Sequence, residues 1–205
     1  MSPEKRPYRK QQRAHLEAQT RLRITQAAME LHGSVGPART SISAIAERAG
    51  VRRSTVYRHF PDDDALFDAC SAHWAAANPL PDLQAWAAVA DPEQRLRVAL
   101  AELYAFYGRT DQMLANLLRD EATTPALQRT FGAFRAYLDA ARDVLLDGRA
   151  ERAGAVRAAV GHALAFPTWR SLVRDQGLAD GDAVELMAGL AAAAERPHAK
   201  TTAVP

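Results

Sequence analysis

Apolar residues recur at helical spacing along most of the chain, and the strict alternation typical of β-strands is missing. Two predicted helices begin with a capping residue followed by proline, at Asp91-Pro92 and at Thr124-Pro125. After the second start the apolar residues are spaced alternately by four and three positions: Leu127, Phe131, Phe134, Leu138, Ala141 and Leu145. Such spacing buries one face of a helix over about five turns. The pattern predicts an all-α protein.

Glycine and proline residues mark where these helices are expected to end or bend. Gly108 and Gly148 are each predicted to close a helix. The last two helices are predicted over 151–176 and 181–195. Pro167 lies inside the first of these and is expected to kink it, because proline removes a hydrogen bond and clashes with the preceding turn.

The segment from 41 to 60, SISAIAERAGVRRSTVYRHF, carries the spacing of a helix-turn-helix. Ala46 is small enough to let a second helix cross the first closely. Gly50, four residues later, suits the left-handed conformation of the turn. Val56 can then pack back on the first helix, and Ser41 can cap that helix. The short helix after the turn is therefore predicted to be a recognition helix.

The residues after the turn have the composition of a helix that reads DNA. They are cationic or hydrogen-bonding, and no acidic residue lies among them, whereas an ordinary surface helix mixes in acids. Arginine can bind guanine edges through two hydrogen bonds, and hydroxyl groups can reach phosphates or bases. The predicted DNA contacts are Ser41, Arg52, Arg53, Ser54, Thr55, Tyr57, Arg58 and His59.

The charge of the chain is divided unevenly. Residues 1–61 carry 12 Lys and Arg against 4 Asp and Glu, a net charge of +8, whereas residues 62–205 carry 14 against 20, a net charge of −6. This division favours a domain that binds a polyanion, joined to a domain that does not. The basic stretch 5–13 can reach phosphates or a minor groove, or it can be a loose arm that adds only nonspecific contacts.

Together these residues resemble the TetR (tetracycline-repressor) family of bacterial transcription regulators. The resemblance runs from about Arg21 to Trp74 and includes the RITQAA helix, Gly36, the helix-turn-helix and STVYRHF. It implies an all-helical homodimer with a three-helix DNA-binding head and a larger body that binds a small effector. The positions that match the family's usual DNA contacts are Ser54, Thr55, Tyr57 and His59.

Four residues depart from the pattern of that family. Arg52 stands where a small polar cap is usual, and Ser54 stands where glycine is common. His32 stands where phenylalanine is usual, so the first helix is expected to pack less tightly there. Asp63 stands where the family often has lysine, beside the expected position of the DNA backbone. Because a carboxylate repels phosphate, Asp63 is expected to weaken DNA binding.

The predicted fold is all-α, with an N-terminal three-helix helix-turn-helix domain and a C-terminal helical bundle for ligand binding and dimerisation. The predicted domains are a basic flexible arm over 1–20, the DNA-binding domain over 21–61, the regulatory and dimerisation domain over 62–196, and a loose tail over 197–205. The last two helices are expected to form the homodimer interface, since reading a palindrome requires two-fold symmetry. The apolar residues that these helices carry are Val156, Val160, Leu164, Leu172, Val173, Val184, Met187 and Leu190. The alternative for them is an intramolecular core.

The body is rich in aromatic residues on neighbouring amphipathic helices. Most of them are expected to form an ordinary core, yet such a bundle can also keep a cavity for a small apolar or aromatic effector. The candidate ligand contacts are Leu103, Phe106, Tyr107, Leu114, Leu118, Phe134, Tyr137 and Trp169.

The sequence offers little for catalysis, metal binding or membrane insertion. Cys70 is the only cysteine, the 6 histidines show no metal-ligand spacing, and no Ser-His-Asp set or glycine-rich phosphate loop is present. No uncharged apolar run reaches the roughly 18 residues of a membrane span, and the basic N-terminus lacks the apolar core of a signal peptide. We therefore expect a cytoplasmic protein with no cofactor and no metal, and not an enzyme.

These features favour a homodimeric transcription regulator, most simply a repressor that leaves a palindromic double-stranded DNA operator when an effector binds its body. Two alternatives stay open at this point: a DNA-binding regulator without an effector, and a helical ligand-binding protein or enzyme whose basic head is incidental. Salt-dependent, sequence-selective DNA binding separates the second alternative from the other two. A thermal-shift screen against metabolites separates a regulator with an effector from one without.

Overall fold

The computed structural model describes residues 5–149 and 153–195, and no β-strand occurs within these ranges. The α-helices found there are α1 (Lys5–Ser34), α2 (Ile42–Arg48), α3 (Arg53–His59), α4 (Asp63–Ala77), α5 (Leu83–Ala87), α6 (Pro92–Asp120), α7 (Pro125–Leu146), α8 (Ala153–Leu164), α9 (Phe166–Arg170) and α10 (Asp180–Glu195). Short 3-10 turns occupy Pro37–Arg39 and Glu121–Thr123, and a π-helical segment occupies Ser171–Asp175. The all-α prediction is confirmed.

The described residues form two compact units. The first unit, called the head unit below, contains residues 5–79 and 112–131. The second unit, called the body unit, contains residues 80–111 and 132–195. Helices α6 and α7 each contribute residues to both units. The compact units therefore divide the chain differently from the predicted domains of 21–61 and 62–196, because α4 and residues 112–131 pack with the helix-turn-helix.

The head unit is built around α1, which packs against α2, α3 and α4. The buried core that these helices share is Ile24, Ala27, Ala28, Ile45, Ala46, Ala49, Val56, Phe60, Leu66 and Cys70. Eight of these ten side chains are alanine, cysteine or β-branched residues, so the helices approach closely and leave α3 little freedom to rotate. The core thereby sets which side of α3 faces outward.

The last turn of α6 holds the connection between α1 and α2. The amide nitrogen of Asn116 donates to the carbonyls of His32 and Gly33, at 3.2 and 2.7 Å. Arg119 donates to the Val35 carbonyl at 2.8 Å and to the carboxylate of Asp120. These donors satisfy carbonyl groups that the end of α1 leaves without a helical partner. We call Asn116, Arg119 and Asp120 the α6 latch.

Asp120 completes the latch from within the core of the head unit. Its carboxylate is buried and accepts from the Ala38 N–H at 3.0 Å. The hydrogen bond from Arg119, followed by the Ala38 N–H, holds the pKa of Asp120 below its ordinary value. Gly36 has φ +95° beside this carboxylate, and a side-chain carbon there would collide with both Arg119 and Asp120. Only glycine therefore fits where the latch closes.

The body unit is built around an aromatic cluster, with α8 packed against both α9 and α10. Tyr107 contacts the rings of Phe166 and Trp169, with centroids 5.3 and 5.8 Å apart. Arg95 is 5% exposed, and its guanidinium donates to the carbonyls of Val89 and Asp147, each at 2.8 Å. The buried guanidinium of Arg95 thus finds its partners on the backbone.

One predicted helix end, at Gly108, and one predicted kink, at Pro167, are wrong. Gly108 lies inside α6, because burial of neighbouring α6 residues in both units outweighs the roughly 1 kcal/mol that glycine costs a helix interior. Pro167 does not kink a helix over 151–176. Instead α8 ends at Leu164, Ala165 is extended, and α9 starts at Phe166 with the proline in its first turn. A proline in that place loses no helical hydrogen bond.

The basic stretch that was expected to be a loose arm is helical from Lys5 onward. Side chains from Tyr8 to Gln19 are exposed, and the Arg13 guanidinium lies 3.1 Å from the Glu17 carboxylate. A pair spaced by four residues in this order supports a helix. Residues 1–4 of the expected arm and the expected tail over 197–205 lie outside the described residues.

Candidate nucleic-acid interface

The helix-turn-helix has the geometry that its sequence predicts. The Ser41 hydroxyl accepts from the Ala44 N–H at 3.1 Å and so caps α2. Gly50 has φ +64°, the left-handed conformation that the turn requires. Val56 is 1% exposed and packs in the core of the head unit. These three features hold α3 so that the side opposite Val56 faces solvent.

The outward side of α3 presents cations and hydroxyl groups. Arg53 and Tyr57 lie one turn apart, and the Arg53 guanidinium donates to the Tyr57 hydroxyl at 3.3 Å. The same guanidinium carbon lies 5.6 Å from the centre of the Tyr57 ring. Tyr57 is 40% exposed. The exposed residues at the start and on the outer side of α3 are Arg52, Arg53, Ser54, Tyr57 and Arg58, while Thr55 is half-buried.

His59 differs from the other candidate contacts. Its side chain is half-buried, and its Nε2 is buried with no hydrogen-bond partner among the described residues. Burial, followed by the charges of Arg58 and Arg21, lowers the pKa of His59. The ring is therefore turned partly inward.

Arg21 of α1 holds the end of the recognition helix. Its guanidinium donates to the His59 carbonyl, one of the last carbonyls of α3. It also lies over the Phe60 ring, with the guanidinium carbon 4.0 Å from the ring centre. Sequence reasoning missed this residue, since only the packing of α1 on α3 brings positions 38 residues apart together.

Asp63 begins α4 and is exposed, as is the neighbouring Asp62. Asp62 alone caps the helix, because its carboxylate accepts from the Ala65 N–H at 2.7 Å. The pKa of Arg53 is raised, first by its hydrogen bond to Tyr57 and to a smaller degree by the charge of Asp63. Asp63 therefore acts on a candidate DNA-contact residue as well as near the expected backbone.

The candidate ligand residues are divided between the two units. Leu114 and Leu118 belong to the head unit, where Leu114 is buried and Leu118 is exposed. The other six lie in the body unit: Leu103, Phe106, Tyr107, Phe134, Tyr137 and Trp169. Phe134 and Tyr137 are half-buried, with parallel rings 6.5 Å apart, and the remaining four are buried.

The polar groups of these body residues already have partners. The Tyr107 hydroxyl donates to the Leu164 carbonyl at 2.6 Å, and the Tyr137 hydroxyl donates to the Pro81 carbonyl at 2.9 Å. The Trp169 Nε1–H donates to Asp180 at 2.9 Å. Burial raises the pKa of both tyrosines. These groups stabilise the unit itself, and a ligand there would meet only the apolar faces of the rings.

The last helices divide their apolar residues between core and surface. Five that were candidates for the dimer interface are buried within the body unit: Val156, Val160, Leu164, Val184 and Met187. Leu190 is 42% exposed, and Leu186, one turn earlier on α10, is 50% exposed. The intramolecular alternative is therefore right for the first five. Leu186 was missed because the sequence does not show which side of α10 packs on α8.

Metal binding and membrane spanning find no support in the described residues. No group of three or more His, Cys, Asp or Glu side chains within them is arranged to hold a metal ion. Across the same ranges, no helix has the length and apolar character needed to cross a membrane.

Comparisons with known proteins agree on one family. The family model of bacterial regulatory proteins of the tetR family matches residues 24–70. The HTH-type transcriptional repressor Rv3405c of Mycobacterium tuberculosis is 34% identical over 148 residues, which cover 72% of this chain and 70% of the relative. The match to the family model spans α2, α3 and most of α4 together with the end of α1.

Two solved structures show the same fold. A TetR-like transcriptional regulator from Rhodococcus sp. RHA1 has a TM-score of 0.61 at 20% identity, with 84% of this chain and 93% of that chain covered. The transcriptional regulator FadR from Bacillus subtilis, solved in complex with stearoyl-CoA, has a TM-score of 0.56 at 16% identity, with 83% and 96% covered.

Proposed function

Because the chain belongs to the tetR family of bacterial regulatory proteins, it is a DNA-binding transcriptional regulator, and we propose that it is a cytoplasmic repressor that binds a palindromic operator as a homodimer. The repressor sense is supported by the relative from Mycobacterium tuberculosis, which is named a transcriptional repressor. In this proposal α3 enters the major groove, and the N-terminus of α2, which Ser41 caps, faces the DNA backbone.

The outer surface of α3 is the observation that carries the proposal. Its exposed side chains are arginine, serine and tyrosine, and no carboxylate lies on α3. Val56 and the Arg21 contact to the His59 carbonyl hold the helix so that this surface faces outward. Arg52, Arg53 and Arg58 can bind phosphates or guanine edges, whereas Ser54 and Tyr57 can bind phosphates.

Selection of duplexes from a random pool by the full-length protein tests this function. The selected site should be a palindrome, and affinity for it should fall steeply with salt. Arg58→Ala should weaken binding to the selected site by about 1–3 kcal/mol. Arg109→Ala removes an arginine that is also exposed, on the part of α6 that belongs to the body unit, and serves as the control, which should bind DNA as the wild type does. A pool without enrichment would overturn the proposed function.

The dimer is proposed to form through α8 and α10. The support is the exposed pair Leu186 and Leu190, which lie one turn apart on α10 beside Gly189. Paired apolar side chains with a glycine between them let two helices approach closely. Light scattering of the double variant Leu186→Glu with Leu190→Glu should give the mass of a monomer, while the control Leu80→Glu should stay dimeric. A wild-type monomer would contradict this interface.

A small apolar or aromatic effector is proposed for the body unit. The support is the aromatic cluster and the half-buried ring pair of Phe134 and Tyr137, which present apolar faces. A metabolite screen by thermal shift tests it, with Phe134→Ala expected to weaken the shift without changing operator affinity. A regulator that no metabolite stabilises would instead be controlled by its abundance.

A further inference from the structure

A groove of about 620 Å³ opens on the head unit, beside the recognition helix. Side chains of α2, α3 and α4 form its walls, together with the start of α7, and all of them belong to the head unit. Its volume lies within the range of about 300–1,000 Å³ that is usual for small-molecule sites. None of its lining residues was among the candidate ligand contacts read from the sequence.

The lining of the groove includes apolar side chains and hydroxyl groups. The apolar residues that line it are Ile42, Ile45, Leu66, Phe67, Pro125 and Ala126. The Ser41 hydroxyl oxygen accepts from the Ala44 N–H, and the Tyr57 hydroxyl oxygen accepts from Arg53. Because each oxygen is used as an acceptor, each hydroxyl keeps its own hydrogen to donate. A ligand therefore gains most by bringing acceptor oxygens.

Charged side chains around the groove interact with other charged side chains of the head unit. Asp64 lies 3.2 Å from Arg129, and the charge of Asp63 acts on Arg53. His32 is buried in the wall, and burial lowers its pKa to about 4, so its ring is uncharged at neutral pH. A cationic ligand at Asp64 would compete with Arg129, and an anionic ligand would be repelled by both carboxylates, whereas an uncharged ligand meets neither cost.

We propose that this groove is a second small-molecule site, which binds an uncharged organic molecule with an apolar ring body and carbonyl or ether oxygens. Arg53 and Tyr57 line the groove and are also the side chains with which α3 is proposed to bind DNA. A molecule that holds both side chains competes directly with the operator. This competition rests on the proposed function, whereas binding of the molecule does not.

Nile red, an uncharged dye with a ring ketone whose fluorescence rises in apolar surroundings, is the probe. It is titrated into full-length protein and into two variants that fill the groove from different elements, Ser43→Trp on α2 and Thr124→Trp just before α7. The matched controls are Glu47→Trp on α2 and Thr123→Trp beside the start of α7, both exposed positions outside the groove. Melting temperatures establish that all four variants are folded.

The filled variants should bind the dye about tenfold more weakly or worse, a loss of about 1.4 kcal/mol, while the controls should match the wild type. A selected duplex should displace the dye, and the dye should weaken DNA binding increasingly as its concentration rises, as direct competition requires. Equal affinity in wild type, Ser43→Trp and Thr124→Trp would overturn the site, as would the absence of dye binding. Dye that stays bound on the duplex would overturn the competition.

Failure of the proposed function gives a different result. In that case the wild type binds no DNA selectively, yet the difference between filled variants and controls still decides whether the groove binds the dye. If Ser43→Trp alone impairs DNA binding, Thr124→Trp still separates the two questions, because α7 has no part in the proposed DNA contact.

Discussion

The head unit and the body unit place their tyrosines in opposite ways. Tyr57 of the head unit is 40% exposed, and its hydroxyl faces solvent beside Arg53. Tyr104 and Tyr107 of the body unit are fully buried, and their hydroxyls donate to the carbonyls of Ala163 and Leu164. The same residue type is therefore proposed to recognise DNA in one unit, whereas it stabilises the core in the other. What decides its role is whether the backbone or solvent surrounds the hydroxyl group.

The units also differ in how they use buried polar groups. The head unit buries Asp120 and Asn116 at the connection between α1 and α2, where they hold a turn in place, and it buries the ring of His32 beside Cys70. In the body unit the buried Arg95 guanidinium donates to backbone carbonyls. Both arrangements satisfy buried groups. Among the described residues, the buried group that titrates near neutral pH in the unfolded chain is His32 of the head unit. The two units should therefore respond differently to acid.

The largest effect is expected for Tyr107→Ala. The change empties a fully buried ring site and leaves the Leu164 carbonyl without its donor. Truncation of a buried aromatic residue costs about 3–5 kcal/mol of the free energy of unfolding. Urea denaturation measures this loss. A stable Tyr107→Ala protein whose effector response alone is altered would give the ring a binding role instead.

Tyr57→Ala makes the same substitution in the head unit and should have the opposite result. Specific DNA binding should be lost, because the variant removes a proposed phosphate contact and the partner of Arg53. The free energy of unfolding should stay within about 0.5 kcal/mol of the wild type, since little core is removed. Binding to the selected duplex and urea denaturation are measured on the same preparation. Normal operator binding would show that α3 docks differently.

His32→Phe should remove a pH dependence of the head unit. Burial lowers the pKa of His32 from 6.5 to about 4, although the charge of Asp120 opposes this, and the ring also contacts Cys70. Stability is therefore fully present above pH 6.5 and falls as the pH drops toward 4, by up to about 3 kcal/mol. Thermal unfolding of both proteins between pH 7 and 4 measures the difference. Parallel curves would mean that His32 is not buried.

The smallest effect is expected for Asp63→Lys. Asp62 keeps the cap of α4, so the change should cost at most about 1 kcal/mol of dipole stabilisation. The new lysine adds one phosphate contact per subunit, and the slope of log affinity against log salt should steepen by about 2 for a dimer. Specific and nonspecific DNA should gain alike. A fluorescence-anisotropy salt titration measures the slope, and an unchanged slope would mean that residue 63 does not approach the backbone.

Much of the head unit could be predicted because its geometry is encoded locally. Ser41, Asp62 and Gly50 act on backbone groups within three or four residues, so their roles follow from spacing alone. The burial of Val56 also follows from its offset within the helix-turn-helix. The helix starts at Pro92 and Pro125 follow from the same rule.

The roles of individual side chains in the body unit could not be predicted in this way. The spacing of Tyr107 and Trp169 shows that each lies on an apolar face, but not that their polar groups meet Leu164 and Asp180. Gly108 illustrates the same limit, because its position inside α6 depends on packing around the helix. Local rules carry no information about which helix faces which.

The sequence by itself determined the all-α class, the helix-turn-helix and the cationic surface of α3, since each follows from residue types at short spacing. Only the tertiary structure decided that Arg21 holds the end of α3, that the α6 latch joins the turn at Gly36, and that a groove opens beside Arg53. The physical reason is range. Capping and helical periodicity act over one or two turns, whereas burial and partner choice depend on chain segments that only folding brings together.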